Sequence, residues 1–477
     1  MITPRSEHKV QGKALRKSAP RSSHGAWVPA ADRADPLTLL QEQDVGRVKH
    51  LLPIKYARMA ESPFAFLRGS AVVMAADLAN TPSSGLEVQL CGDAHLSNFG
   101  VFATPERKLV FDINDFDETH PGPWEWDLKR LVASAAVAGR ANGFDDKFNR
   151  KMALTTGRTY AETMRRMAKM ATLDIWYFHV EAEQVQEAFE RSSKQSHKQA
   201  DKMIGKAKSK TQEQTLEKLT EIVEGRRRII NEPPLLVPLR KLLTEEQRDR
   251  ITIERIEMMW NQYLESLPAE RRHLLNRFQL TDAALRVGGV GSVGTRCWIL
   301  LLEGGGKDDA IILQQKESGP SVLEGFTAVS EYDSPAQRVV HGQRLIQAAS
   351  DTFLGWHKSS LTGVDYYWRQ LKDMKGSLEV ADLDKAGFET YLKVCAVCLA
   401  RAHARTGDSD AISGYTGKGN VLSEAIADFA LAYADQTERD HQALVEAILA
   451  GKITASHEVV EIDEGQDAML PFSPEVN

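Results

Sequence analysis

The stretch TDAALRVGGVGSVGTRCWILLLEGGGKDDAIILQQKE, residues 281–317, decides how the chain is read. At its centre Gly289, Gly291 and Gly294 form a G-x-G-x-x-G, a pattern that serves turns as readily as ligands. Context sorts the options. A dinucleotide-binding version runs from strand into helix, so that the pyrophosphate meets a helix N-terminus. Here the loop runs instead into TRCWILLLE, an apolar strand, and EGGGKDD turns a hairpin into a third strand, AIILQQKE. Strand, glycine loop, strand is the layout in which backbone amides cover the phosphates of ATP. Lys316, at the end of the third strand, stands where that layout holds the lysine of the α- and β-phosphates. Gly289, Gly291, Ser292, Gly294 and Lys316 are therefore the candidate nucleotide-binding residues.

A second segment, CGDAHLSNFG (91–100) followed by VFATPERKLVFDINDFDET (101–119), gathers Asp93, His95, Asn98, Asp112, Asp115 and Asp117 around two short apolar strands. Buried carboxylates need partners, and the usual ones are metal ions, arginines or backbone amides. Asp93 and Asn98 stand five apart on one loop, the spacing of a catalytic Asp that receives a hydroxyl proton and an Asn that holds Mg²⁺. Asp115 follows one further strand, where the phosphate-bridging metal ligand is expected. Hard oxygen ligands of this kind suit Mg²⁺ and not zinc.

At these residues the sequence resembles the aminoglycoside and choline phosphotransferases of the protein-kinase-like superfamily. Their signature runs Gly-Asp-x-His-x-x-Asn, a strand, Asp-aromatic-acid, and later Asp-Leu. GDAHLSN, DFD (Asp115, Phe116, Asp117) and WDL match it in turn. The resemblance implies Asp93 as catalytic Asp with His95 its loop neighbour, Asn98, Asp115 and Asp117 as the metal set, and Asp127 as a structural aspartate. It also implies ATP and Mg²⁺ as co-substrate and cofactor, with a hydroxylated acceptor. As a whole the chain is similar to a bacterial family of unknown function carrying SPFAFLRG, GDAHLSNFG, NDFDE, VGSVGTRC and GQRLIQAASDTFLGW, over most of residues 47–450.

Three departures qualify the likeness. The glycine loop follows the catalytic loop by roughly 200 residues, where kinases have it first, which implies a circular permutation. The helix PAQRVVHGQRLIQAAS carries no acid to pair Lys316, leaving Glu324 or Glu331, with Glu324 preferred. The valine expected two residues after the last loop glycine is Arg296, which reaches either a phosphate or solvent. Separately, Arg68 in SPFAFLRG is expected to pair Asp112 or Asp117.

The expected fold is α+β: a circularly permuted kinase-like fold with an antiparallel, β-rich N-lobe on a mostly helical C-lobe. Residues 1–45 read as a tail, 46–280 as C-lobe with catalytic loop and helical insertion, 281–375 as N-lobe, 376–455 as helical remainder and 456–477 as an acidic tail. The 477 residues carry a net charge of −6, so nothing global argues for nucleic acid. The basic run 192–221 reads as a solvated helical arm. No apolar run approaches the ~20 residues of a membrane span. The N-terminus lacks a signal-peptide core, and the expected location is the cytoplasm. Cys91, Cys297, Cys395 and Cys398 suggest buried thiols, not a disulfide framework or a zinc site. GYTGKGN (414–420) lacks P-loop spacing and reads as a loop capped by Asn420.

The leading functional expectation is an ATP- and Mg²⁺-dependent phosphotransferase acting on an unknown hydroxyl acceptor, with a small molecule preferred over a protein. The alternatives are a nucleotide-binding regulator without turnover, or an AMP transferase that binds the nucleotide reversed in the same pocket. A metallophosphoesterase reading of GDAH fails, because the Asp-x-His before it and the Gly-Asn-His after it are missing.

Overall fold

A computed structural model describes residues 4–242, 253–306, 309–360, 362–371 and 374–458. Apolar residues at helical spacing build five N-terminal helices: α1 (Arg5–Ala14), α2 (Pro36–Gln43), α3 (Leu52–Ala60), α4 (Pro63–Gly69) and α5 (Ala71–Ala79). Strand β1 (Glu87–Leu90) leads to the hairpin β2 (Phe99–Ala103) and β3 (Leu109–Ile113), and β4 (His120–Pro123) returns beside β1. Helices α6 (Trp124–Ala141) and α7 (Asp146–Met167) follow. They pack with the later helices Lys385–Thr406 and Asn420–Leu449 into the main helical body. Its core is continuous with the hairpin through Phe111, Leu131, Tyr391 and Leu399.

The second body is one antiparallel six-stranded sheet in the order β12-β13-β11-β10-β9-β8. Its strands are β8 (Leu236–Pro238), β9 (Gln279–Arg286), β10 (Cys297–Glu303), β11 (Ala310–Ser318), β12 (Gly355–Lys358) and β13 (Asp365–Gln370). Alternation divides its side chains between two faces. Leu285, Trp298, Leu300, Leu313 and Trp368 meet helix Ile253–Glu265, where Tyr263 stacks on Trp368 at 4.3 Å between ring centroids. On the other face Ala284, Ile299, Leu301 and Ile312 form a smaller core with Leu216 and Ile229. Lys316, Gln314 and Arg369 share this second face nearer the helical body, since Gln314 pairs Arg369 and Lys316 lies two residues on.

The mixed α+β character and the antiparallel sheet agree with expectation, but several boundaries move. The sheet begins at Leu236, well before residue 281. The helical insertion expected before residue 280 also contains the hairpin β6 (Thr220–Val223) and β7 (Arg226–Ile229). Its turn uses Glu224 and Gly225, both at positive φ, and the β-branched run before it favours strand over helix. Asn420 does not cap a loop; Gly419 precedes the final helix at φ 88°.

Residues 4–45, expected as a tail, are folded onto the helical body. Helix α1 packs along helix Ser409–Thr416, and Trp27 meets Tyr433 at 4.9 Å. The basic composition that suggested a solvated tail has a structural use. Arg16 Nε donates to the Tyr415 carbonyl at 2.9 Å and Arg21 to the Thr416 carbonyl at 3.1 Å, on the electronegative end of that helix. Arg33 bridges Asp77 and Asp440. The acidic tail lies largely outside the described residues, and Lys307 and Asp308 of the EGGGKDD turn lie outside them too. All four cysteines are buried and free, and among the described residues no helix is long and apolar enough to cross a membrane.

Candidate functional site

The 91–98 loop is built by its backbone. Gly92, at φ +82°, passes so close to the Glu118 carbonyl that a Cβ would sit 2.1 Å from its oxygen, so only glycine fits. The carboxylate of Asp127, one turn into α6, accepts the Cys91 N–H at 2.8 Å and the Gly92 N–H at 3.1 Å. Asn98 donates Nδ2 to the Asp93 carbonyl at 2.7 Å, which turns its Oδ1 the other way. The Asp93 carboxylate faces outward from this frame. Its Oδ1 accepts from Arg130 Nε at 2.8 Å, and His95 Nε2 lies 3.5 Å from Oδ2. Burial pushes the His95 imidazole down to about 4, so it is neutral at pH 7.

Asp115 and Asp117 follow β3. Burial, and then the neighbouring charge of Asp117, raises the Asp115 carboxyl, and its buried Oδ1 has no hydrogen-bond partner. Asp117 behaves oppositely. Burial works against its charge, but the Lys316 ammonium and the Tyr367 hydroxyl, 2.7 Å from Oδ1, hold it below the usual carboxylate range. Burial likewise opposes the charge on Lys316, yet Asp117, Tyr367 and Asp115 raise it overall.

The glycine loop is gripped by its carbonyls. Arg47 donates to the carbonyls of Gly291 at 2.7 Å and Val293 at 2.6 Å, Arg58 to that of Gly289, and the Val48 N–H to Gly294 at 2.8 Å. The N–H groups of Gly289, Val290, Gly291 and Ser292 take no partner among the described residues. Such a run of free amides is a concavity for an anion.

Both loops open on one cleft of about 500 Å³, lined by Asp93, His95, Asn98, Asp115, Asp117, Gly289, Gly291 and Ser292. That volume lies in the range of small-ligand sites. Lys316 stands behind the wall, reaching the cleft through Asp117. Gly294 turns away, against Arg47 and Leu52.

Glu324 is not the partner of Lys316. It takes the Ser321 N–H at 2.9 Å and lies 3.5 Å from Arg338, while Asp117 neutralises the lysine. The helix Pro335–Ile346, having no acid, presents Arg338, which holds the carbonyls of Thr119, Asp117 and Gly319. Arg68 pairs neither Asp112 nor Asp117, because Arg401 takes Asp112 and Lys316 takes Asp117. Arg68 lines the cleft instead. Burial lowers its guanidinium, with Asp93 the leading charge that opposes this, and its buried Nε has no partner. Arg296 faces neither phosphate nor solvent alone; it pairs Glu317 at 3.0 Å.

Sequence reading missed Arg130, Arg338, Arg369 and the clamp formed by 36–72. Arg130 was within reach, since it follows Asp127 by three residues and so shares its helix face. The others become neighbours only through long-range packing.

The donors fit Mg²⁺, which takes one or two protein carboxylates plus substrate phosphates: Asp115 Oδ1 is unpartnered, Asn98 Oδ1 is turned outward, and Asp117 is adjacent. Among the described residues no group of three or more His, Cys, Asp or Glu has metal-site geometry of its own, so a metal there would need the ligand's oxygens.

No curated protein and no solved structure matches this chain. A family profile described as an uncharacterized protein conserved in bacteria (DUF2252) matches residues 47–447, and the chain belongs to that family.

Proposed function

We propose that this protein is an ATP- and Mg²⁺-dependent transferase of kinase-like construction, moving a phosphorus-centred group from ATP to a hydroxyl acceptor. The observation that carries the reading is the shared cleft. A loop of unpartnered amides at 289–292 faces an Asp/Asn/Asp constellation that lies nearly the length of a domain away in sequence, and the Lys316–Asp117 ion pair ties the two together.

In this reading Asp93 takes the hydroxyl proton as the acceptor attacks. Its pairing with Arg130 fits a role in orienting the nucleophile more than one demanding strong basicity. Asn98 and Asp115 would hold Mg²⁺, which neutralises phosphate charge when bound. The amides of 289–292 cover the phosphates, and Lys316 is released from Asp117 to reach them.

A circular permutation also finds support. Glycine loop, lysine strand and then a helix follow one another in the kinase order. The end of helix Lys385–Thr406 abuts the start of β1: the Gln89 N–H donates to Thr406 Oγ1 at 3.2 Å, and a Cβ on Gly407 would lie 2.9 Å from the Glu87 carbonyl oxygen. Joining the chain there would place a helix directly ahead of the catalytic loop.

Calorimetric titration of ATP into wild type and Asp115→Ala, with and without Mg²⁺, tests the reading. Mg²⁺-dependent binding in wild type and its loss in the variant are expected. Absence of ATP binding under every condition would overturn it.

A further inference from the structure

Two guanidinium groups line the cleft, and they are held differently. Arg47 is fixed by the Gly291 and Val293 carbonyls and lies 3.4 Å from Asp44. Arg68 makes no side-chain hydrogen bond or ion pair among the described residues, and its Nε is buried. Asp93, Glu379 and Glu61 are the charges that favour its ionised form, but none closes an ion pair with it, and burial outweighs them. Asp93 is engaged elsewhere: its Oδ1 lies 2.7 Å from Arg130 Nη2 and 2.8 Å from Nε. A desolvated guanidinium without a partner is costly, and an anionic ligand would remove that cost.

The position of Arg68 says which part of a ligand it would meet. Its backbone touches the glycine loop, since a Cβ on Gly291 would lie 3.2 Å from the Arg68 carbonyl oxygen. On the other side Arg130 donates Nη2 to the Leu67 carbonyl at 2.6 Å while its Nε holds Asp93. One buried arginine thus ties the residue before Arg68 to the candidate proton acceptor. Behind burial and Arg130, Arg68 is also among the groups that hold the His95 imidazole down. The guanidinium therefore belongs to the space between the loop of free amides and the loop of Asp93. Ala71 and Val72, the first residues of α5, line the cleft beside it, and their N–H groups take no partner among the described residues. They add the positive end of a helix to the same charge.

We infer that Arg68 is a further catalytic residue, whose guanidinium grips the γ-phosphoryl group of ATP between the glycine loop and Asp93. In a kinase-like site the terminal phosphate is the one that lies between those two loops, and its charge spreads over three equatorial oxygens in the transition state. A planar guanidinium presents parallel N–H donors to two of them. The acceptor oxygen bonds to the γ-phosphorus and the bond from that phosphorus to the β,γ-bridging oxygen breaks. ADP leaves with the electron pair, and the hydroxyl proton goes to Asp93. Arg68 exchanges no proton; it neutralises the charge of the group in transit. This rests on the ATP-dependent reading above and names the phosphorus that reacts and the cation that serves it.

The test is calorimetry of the full chain with Mg²⁺ and ADP, with and without beryllium fluoride, which occupies the place of the γ-phosphoryl group. Wild type should bind ADP more tightly when beryllium fluoride is present. Arg68→Gln should keep the affinity for ADP alone and lose about tenfold or more of that gain, the scale of one charge-assisted contact. Arg68→Met, neutral and apolar where the guanidinium is buried, gives the same reading should Arg68→Gln fail to fold. An undiminished gain in the folded variant, an equal loss for ADP alone, or no gain in wild type that binds ATP would each overturn the role of Arg68. All three leave ATP-dependent binding standing. Failure of wild type to bind ADP or ATP at all would remove both.

Discussion

Lys316, on the sheet, closes an ion pair with Asp117, on the loop after β3, although 199 positions separate them in the chain. The ammonium is almost fully buried, and Tyr367 completes the carboxylate's shell at 2.7 Å. The two bodies therefore meet through charge at the cleft as well as through apolar packing.

Removing the lysine should cost more stability than removing the acid's charge. Lys316→Met takes from Asp115 and Asp117 the leading cation that opposes their burial and leaves only the less influential Arg369, a loss of about 3 kcal/mol on the scale of broken buried pairs. Asp117→Asn leaves Lys316 with Asp115 as a second counter-charge and should cost less. Urea unfolding of both variants measures the order, and a costlier Asp117→Asn would contradict it.

Asp93→Ala should lower turnover at least ~10²-fold, the usual effect of deleting a proton acceptor. ATP affinity should be nearly unchanged, because Asp93 is held by Arg130 and not by the glycine loop. A product assay paired with calorimetry separates the two effects, and a parallel loss of binding would reassign Asp93 to the nucleotide.

Asp127→Ala should unfasten the 91–98 loop. Two backbone N–H groups, at Cys91 and Gly92, lose the carboxylate that accepts them, at about 1–3 kcal/mol for each buried group left unsatisfied. Amide exchange at these two positions should accelerate in the variant while that of α7 does not. Unchanged exchange would show that β1 pairing alone suffices.

Stability should fall with acid earlier than carboxylates alone would dictate. Burial pushes His24 to about 3, helped by the nearby Lys129, and burial pushes His357 to about 3. An unfolded histidine titrates near 6.5. Between those values the unfolded chain binds the extra protons, so unfolding free energy drops as pH falls through 6.5, by about 1.4 kcal/mol per pH unit for each histidine. Urea midpoints between pH 7 and 5 should show this slope, and His24→Gln/His357→Gln should flatten it. An equal slope in the double variant would assign the acid sensitivity elsewhere.

Local chemistry was legible in the sequence wherever it rests on spacing. Five residues from Asp93 to Asn98 imply one loop, and a glycine run between apolar strands implies strand–loop–strand. Each follows from dihedral preference and side-chain period, which act over a few residues. The antiparallel sheet was legible for the same reason. Its early start at Leu236 was not, because a three-residue strand has too short a pattern and is held by pairing with β9.

What the tertiary structure alone decided is who partners whom. Lys316 meets Asp117 and not Glu324, Arg68 is left facing the cleft, and Arg47 reaches back to hold the glycine loop. The N-terminal residues read as a tail because they are polar and basic, but their charges end on helix carbonyls and on Asp77 and Asp440. Composition reports how many charges a segment has; only the packed chain determines which are desolvated and what neutralises them. Coulomb attraction between desolvated groups depends on distance in space, and pairs separated by hundreds of residues carry no short-range mark in the sequence.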